Sequence, residues 1–136
     1  MASLADPGSM SVSHLIGDAV VRLGADATLR EVAETLDEGA FGAVVLGDDD
    51  RAISLVSERD IVRAVAQGKD PASTPAQTVA STELIWCDVS STVDEVAGEM
   101  LRSYVRHVLV EDNGSLVGIV SARDLLGYYC AGHDLD

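Results

Sequence analysis

The heptad Gly118-Ile119-Val120-Ser121-Ala122-Arg123-Asp124 has a second copy upstream, Ser54-Leu55-Val56-Ser57-Glu58-Arg59-Asp60, and the two lie 64 residues apart. The same offset holds without a gap at Thr28/Thr92, Glu31/Glu95, Val32/Val96, Ala33/Ala97, Val44/Val108 and Asp48/Asp112, so ten of the 33 positions from Thr28 to Asp60 recur from Thr92 to Asp124. A fixed period of this kind marks a duplicated unit. Each copy, about 60 residues long, is too small to bury a large core alone, so the two are expected to pack on one another.

Within each copy the apolar pattern changes period in the same places. Ser13–Gly17 reads as a short helical lead-in that corresponds to Gln77–Ser81, and Ala19–Leu23 as a short strand. Leu29, Val32, Ala33 and Leu36 then fall at the spacing of one buried helix face. Thr28 caps that helix, Glu31 completes a capping box, and Gly39 ends it. Phe41–Leu46, the polar turn 47–50 and Ala52–Val56 read as a hairpin; a second helix runs from Glu58 to about Gln67 and stops at Gly68-Lys69-Asp70-Pro71. The second copy predicts Leu84–Cys87, a helix from Val93 to about Ser103 capped by Thr92 with Glu95, His107–Glu111, the turn Asp112-Asn113-Gly114, Leu116–Val120, and a helix over Ala122–Tyr129.

The fold class is therefore α/β (α+β), two tandem β-α-β-β-α repeats. The division is a flexible start or tag remnant at 1–11, where Gly8-Ser9-Met10 has the look of an expression scar; repeat 1 at 12–71; a linker at 72–76; repeat 2 at 77–130; and a loose tail at 131–136.

Charge narrows the partners. With 23 acidic residues against 9 basic the net charge is −14, which repels nucleic acid and anionic lipid at long range. No apolar run reaches the length of a membrane span. Two cysteines make no disulfide framework, and with no charged-then-apolar leader ahead of the first repeat the expected setting is the cytoplasm.

The heptad is where chemistry can reside. Its plain structural role is a helix cap, because Ser-x-x-Asp ahead of an apolar helix satisfies orphan backbone N–H groups and sets an anion at the positive end of the dipole. The heptad also holds free N–H donors, a hydroxyl and a guanidinium beside a carboxylate. That combination makes a phosphate site next to a diol site, with the carboxylate accepting from two adjacent ribose hydroxyls.

The tandem repeats, the strand-helix-strand-strand-helix order and the Gly-hydrophobic-x-Ser/Thr-x-x-Asp signature together resemble the cystathionine-β-synthase (CBS) domain pair, or Bateman module, from about Ser13 to Tyr129. The resemblance implies two repeats packed with pseudo-twofold symmetry and a regulatory role in signal transduction and energy sensing. An adenosine-containing ligand (AMP, ADP, ATP, S-adenosylmethionine, sometimes NAD) would bind in clefts between the repeats, and modules would associate as homodimers. It implies no catalysis and no required cofactor.

Carried over residue by residue, the resemblance puts Asp124 on the ribose hydroxyls and Ser121 on ribose or phosphate, in a heptad that also supplies Gly118 and Arg123. Arg106 and His107 would face the phosphate, and Ile16, Val21, Phe41, Gly42 and Ala43 the adenine. A mirrored, weaker site would use Asp60, Ser57 and Arg59, with Ile85 and Val105 under the base. It is expected to be the weaker because Ser54 replaces the motif glycine and crowds the ligand, and because Gly42-Ala43 stand where the second repeat has Arg106-His107.

The other constellations are thin. Cys130 and His133 are two potential metal ligands without a second pair, and Cys87 aligns with Leu23, which makes it a strand-core thiol instead of a nucleophile. No nucleophile with a spaced histidine and no paired-carboxylate cleft argues for an enzyme. The alternative to a ligand sensor is a ligand-free dimerisation or protein-interaction module. The output of a sensor would lie with an unidentified effector protein or be absent.

Overall fold

The computed structural model describes residues 7–16, 20–39, 42–48 and 54–133. Phe41, and the first residues expected for the strands beginning at Ala19 and Ala52, lie outside that set.

The described residues divide into two compact units: 20–84, and 7–16 together with 85–133. The first is β1 (Arg22–Leu23), α1 (Leu29–Glu38), β2 (Ala43–Leu46), β3 (Ser54–Ser57) and α2 (Glu58–Ala66). The second is β4 (Trp86–Asp88), α3 (Val93–Ser103), β5 (His107–Asp112), β6 (Ser115–Ser121) and α4 (Ala122–His133). Each holds one three-stranded sheet, in the orders β1-β2-β3 and β4-β5-β6. In both, the outer pair formed across the helix is parallel and the hairpin pair antiparallel. This is the mixed α+β fold that the duplicated pattern predicts.

Local chemistry fixes the elements. Thr28 accepts from the Glu31 N–H at 3.1 Å while Glu31 accepts from the Thr28 N–H at 2.9 Å, and Thr92 and Glu95 repeat the box. Asn113 and Gly114 both take positive φ, the backbone of a two-residue hairpin turn, so β5 and β6 pair right up to Asp112 and Ser115. Gly68, at φ 83°, follows the end of α2. The last helix runs on to His133 instead of yielding to a loose tail at Ala131. Buried Leu125, with Tyr128 and Tyr129 packed on the core, anchors it, and nothing in Cys130-Ala131 breaks it.

The two cores are one core built twice. Leu29, Val32, Leu36, Val44, Leu46 and Val56 in the first unit correspond at the repeat offset to Val93, Val96, Met100, Val108, Val110 and Val120 in the second. A further pair, Ala76 and Val12, comes from the segment ahead of the other repeat. Ala76 donates its N–H to the Ala27 carbonyl at 2.8 Å, and Val12 donates to Ser91 at 2.7 Å; Leu29 donates to Thr74 at 2.9 Å and Val93 to Met10 at 2.9 Å. The lead-ins are thus straps. Residues 7–16 close the unit of 85–133, and the supposed linker closes the unit of 20–84. Pro7–Ser11, expected to be a flexible start, is engaged here: Gly8 is buried against Asp94, and the Ser11 hydroxyl donates to the Val89 carbonyl at 2.8 Å.

Candidate functional site

Strand β6 passes into α4 with no intervening loop, and Ser121 stands at the junction. Its N–H donates to Asp124 Oδ2 at 2.8 Å, and the Asp124 N–H donates back to Ser121 Oγ at 3.0 Å. The heptad is therefore a reciprocal cap, as its plain structural role requires. The cap leaves Asp124 exposed, with no partner on Oδ1 among the described residues.

The neighbouring strand brings Arg106 and His107 to the junction. The Ala122 N–H donates to the Arg106 carbonyl at 2.8 Å, and His107 pairs with Ser121 across the ladder. Arg106 and Arg123 are exposed and His107 is half-buried. Three residues back from Ser121, Gly118 has Ile16 packed against it. Ile85 accepts the Leu109 N–H at 2.9 Å through its carbonyl, and both Ile85 and Val105 pack on the core of this unit. One compact unit thus holds Ile16, Ile85, Val105, Arg106, His107, Gly118, Ser121, Arg123 and Asp124. Val21, Gly42, Ala43, Ser57, Arg59 and Asp60 belong to the other.

In that other unit the same backbone is furnished differently. The Glu58 N–H donates to the Gly42 carbonyl at 3.0 Å and Ala43 pairs with Ser57, in the places of Ala122, Arg106, His107 and Ser121. Asp60 Oδ2 accepts from both the N–H of Ser57, at 2.8 Å, and its hydroxyl, at 3.0 Å. Asp60 Oδ1 faces Arg63 Nη1 at 3.8 Å. Sequence reasoning passed over Arg63, although the repeat offset sets it against Gly127.

Cys87 is half-buried, and burial first, then the charges of Asp88 and Glu111, pushes its thiol up to about 11. A thiol so held is a poor nucleophile. Cys130 is exposed on α4. Among the described residues no group of three or more His, Cys, Asp and Glu could hold a metal ion, and no helix is long and apolar enough to cross a membrane.

Comparison with known proteins gives these features a lineage. The family model of the CBS domain matches the chain twice, at residues 12–67 and 76–131. A CBS domain protein from Pyrobaculum aerophilum, solved complexed with AMP, is 36% identical with a TM-score of 0.76, the match covering 90% of this chain and 99% of that one. Hypoxic response protein 1 of Mycobacterium tuberculosis is 33% identical over 108 residues, 78% of this chain and 76% of its own length. An uncharacterised protein of Methanopyrus kandleri is 32% identical over 121 residues; the match takes in 87% of this chain but 62% of that protein, so the chain spans less than two thirds of it.

Proposed function

Because the chain belongs to the CBS-domain family and carries the domain twice, we propose that it is a regulatory module whose second-repeat heptad takes an adenosine-containing ligand. The observation that carries this reading is the half-committed Asp124. One carboxylate oxygen is fixed by the Ser121 N–H, and the other has no partner among the described residues. A carboxylate held in that way accepts from a ribose diol without first losing its own support.

The phosphate is read by what surrounds the start of α4. The Ser121 hydroxyl, Arg123 and Arg106 are the proposed phosphate donors at the positive end of a helix of 12 residues, with His107 on the paired strand beside Ser121. Ile16, packed against Gly118 in the same unit, is the proposed apolar surface for the base. A relative 36% identical has been solved complexed with AMP, which supports the ligand class. A chain of net charge −14 with few local cations favours a mono- or diphosphate over a triphosphate unless a divalent ion accompanies it.

The module performs no reaction in this reading. Its output comes from a difference in ligand affinity between two states of the protein. A homodimer is its proposed assembly, because Val62 on α2 and its counterpart Leu126 on α4 are both exposed and apolar. Their exposure also favours the second reading, a module that dimerises or recruits a partner with no ligand.

Calorimetric titration with AMP, ADP, ATP, S-adenosylmethionine and NAD separates the two. Binding by the wild type that is lost in Asp124→Ala supports the sensor. A wild type that binds none of the five leaves the interaction module.

A further inference from the structure

The two heptads are equal in sequence at Ser, Arg and Asp, yet their carboxylates differ in state. Asp60 has both oxygens engaged: two donors from Ser57 on Oδ2, at 2.8 and 3.0 Å, and Arg63 on Oδ1 at 3.8 Å. Its side chain is 17% exposed. Asp124 lies in the open, and Ser121 gives it the backbone N–H alone among the described residues.

One position accounts for much of this. Residue i+3 from the aspartate stands over the carboxylate on the same helix face. In α2 it is Arg63 and in α4 it is Gly127. Gly127 sets no side chain over Asp124, and a Cβ there would meet nothing within 4 Å, so a longer side chain has room to start from that position.

We infer that the chain has a single open ligand carboxylate, that Gly127 keeps Asp124 open, and that Arg63 is an internal cation seated where a ribose diol would have to go on Asp60. The inference rests on the ligand reading above and refines it to one ligand per chain. A diol approaching Oδ1 of Asp60 must displace a cation already paired with it, where a diol approaching Asp124 displaces only water. For a pair whose arginine is largely exposed, as Arg63 is, this handicap is about two- to five-fold in affinity. The Ser57 hydroxyl, already donating to Asp60, adds to it.

Two measurements test it. The first uses no ligand: carbodiimide coupling of the carboxylates to glycinamide, followed by peptide mass spectrometry. Asp124 is expected to label several-fold faster than Asp60, and Arg63→Gly to speed Asp60. The second is calorimetry with AMP. The wild type is expected to bind one AMP per chain, and Gly127→Arg to weaken it by about two- to five-fold. That loss is expected to shrink in about 0.5 M salt, which screens an exposed pair. Gly127→Gln, of similar length without the charge, is expected to weaken binding less than Gly127→Arg. Equal labelling of the two aspartates, two equal sites per chain, or Gln as damaging as Arg would overturn the inference. A wild type that binds no AMP while the labelling stays unequal would overturn the ligand reading and uphold the asymmetry.

Discussion

Ile16 stands so close to Gly118 that a Cβ on that glycine would lie 2.8 Å from its Cγ1 and 2.9 Å from its Cγ2. The motif glycine is therefore required by a side chain of the protein itself. The counterparts of the pair, Ser54 and Ala80, exchange sizes. Where the strand carries the larger residue the strap carries the smaller, and Ser54 is buried beside the bridge from Leu55 to Ser81. Gly118→Ser is expected to cost about 1–3 kcal/mol through overpacking. Adding Ile16→Ala is expected to return part of that loss, as the first repeat does naturally. Urea midpoints of the two single variants and the double variant check this; additive losses would show that the residues are not coupled.

The strap yields the second prediction. Val12 is fully buried in the core of residues 85–133, although the chain between them is a whole repeat long. Val12→Ala is expected to destabilise by about 2 kcal/mol, as a core truncation does. Hydrogen exchange should find the Val12 and Val93 amides protected together, since they bond to Ser91 and Met10 on opposite sides of the same seam. Rapid exchange of both would mean that the strap is not seated in solution.

Asp124 has a role in the cap and a proposed role with the ligand, and two substitutions separate them. Asp124→Ala removes the acceptor of the Ser121 N–H and is expected to lower stability by about 1 kcal/mol. Asp124→Asn keeps an oxygen for that N–H and is expected to stay within a few tenths of a kcal/mol of the wild type, yet to lose AMP binding about tenfold or more because a charged acceptor becomes neutral. Thermal melts and titrations on the same samples decide the matter. If Asn binds AMP as the wild type does, the diol is not on this carboxylate.

The cysteines give a prediction in pH. With its thiol pushed up to about 11, Cys87 is ionised in about one molecule in a thousand at pH 8. An alkylating agent should therefore take Cys130 in a first phase and Cys87 far more slowly. The slow rate should climb about tenfold per pH unit until the pH nears that value. Denaturant should merge the phases. Two thiols reacting at one rate in the native protein would contradict the burial of Cys87.

The duplication carried most of the fold. Leu29 with Val93 and Val56 with Val120 are legible as paired core positions because an offset of 64 relates residues that do the same job. What the offset does not say is which unit a segment joins. The short helical turns Val12–Leu15 and Ala76–Thr78 correspond at the offset, but a strap's apolar residues look the same whichever core they enter. The caps were legible for a related reason, since Ser121 and Asp124 bond within three residues of chain. The state of each carboxylate was not, because it depends on Arg63 and Gly127, a pair that breaks the repeat and so escapes a search for what the copies share.

Tyr104 departs from the rules of local structure. It ends α3 at φ 55° and ψ 39°, in the left-handed region, with its N–H bonded to the Met100 carbonyl, and the residue is 94% exposed. Glycine is the usual occupant of such a terminus, because a Cβ there crowds the following carbonyl at a cost of about 1 kcal/mol. An exposed ring returns nothing to the core of its own unit. Tyr104→Gly is therefore expected to stabilise the protein only slightly, by about 0–0.5 kcal/mol once the glycine's greater freedom in the unfolded chain is subtracted. Ala at the same place keeps the Cβ and loses the ring, so Tyr104→Ala is expected to leave stability near the wild type. Denaturation midpoints rank the three. If glycine lowers the midpoint, the tyrosine ring contributes a contact worth more than the backbone penalty, and the surface beside α3 would have to be covered in solution.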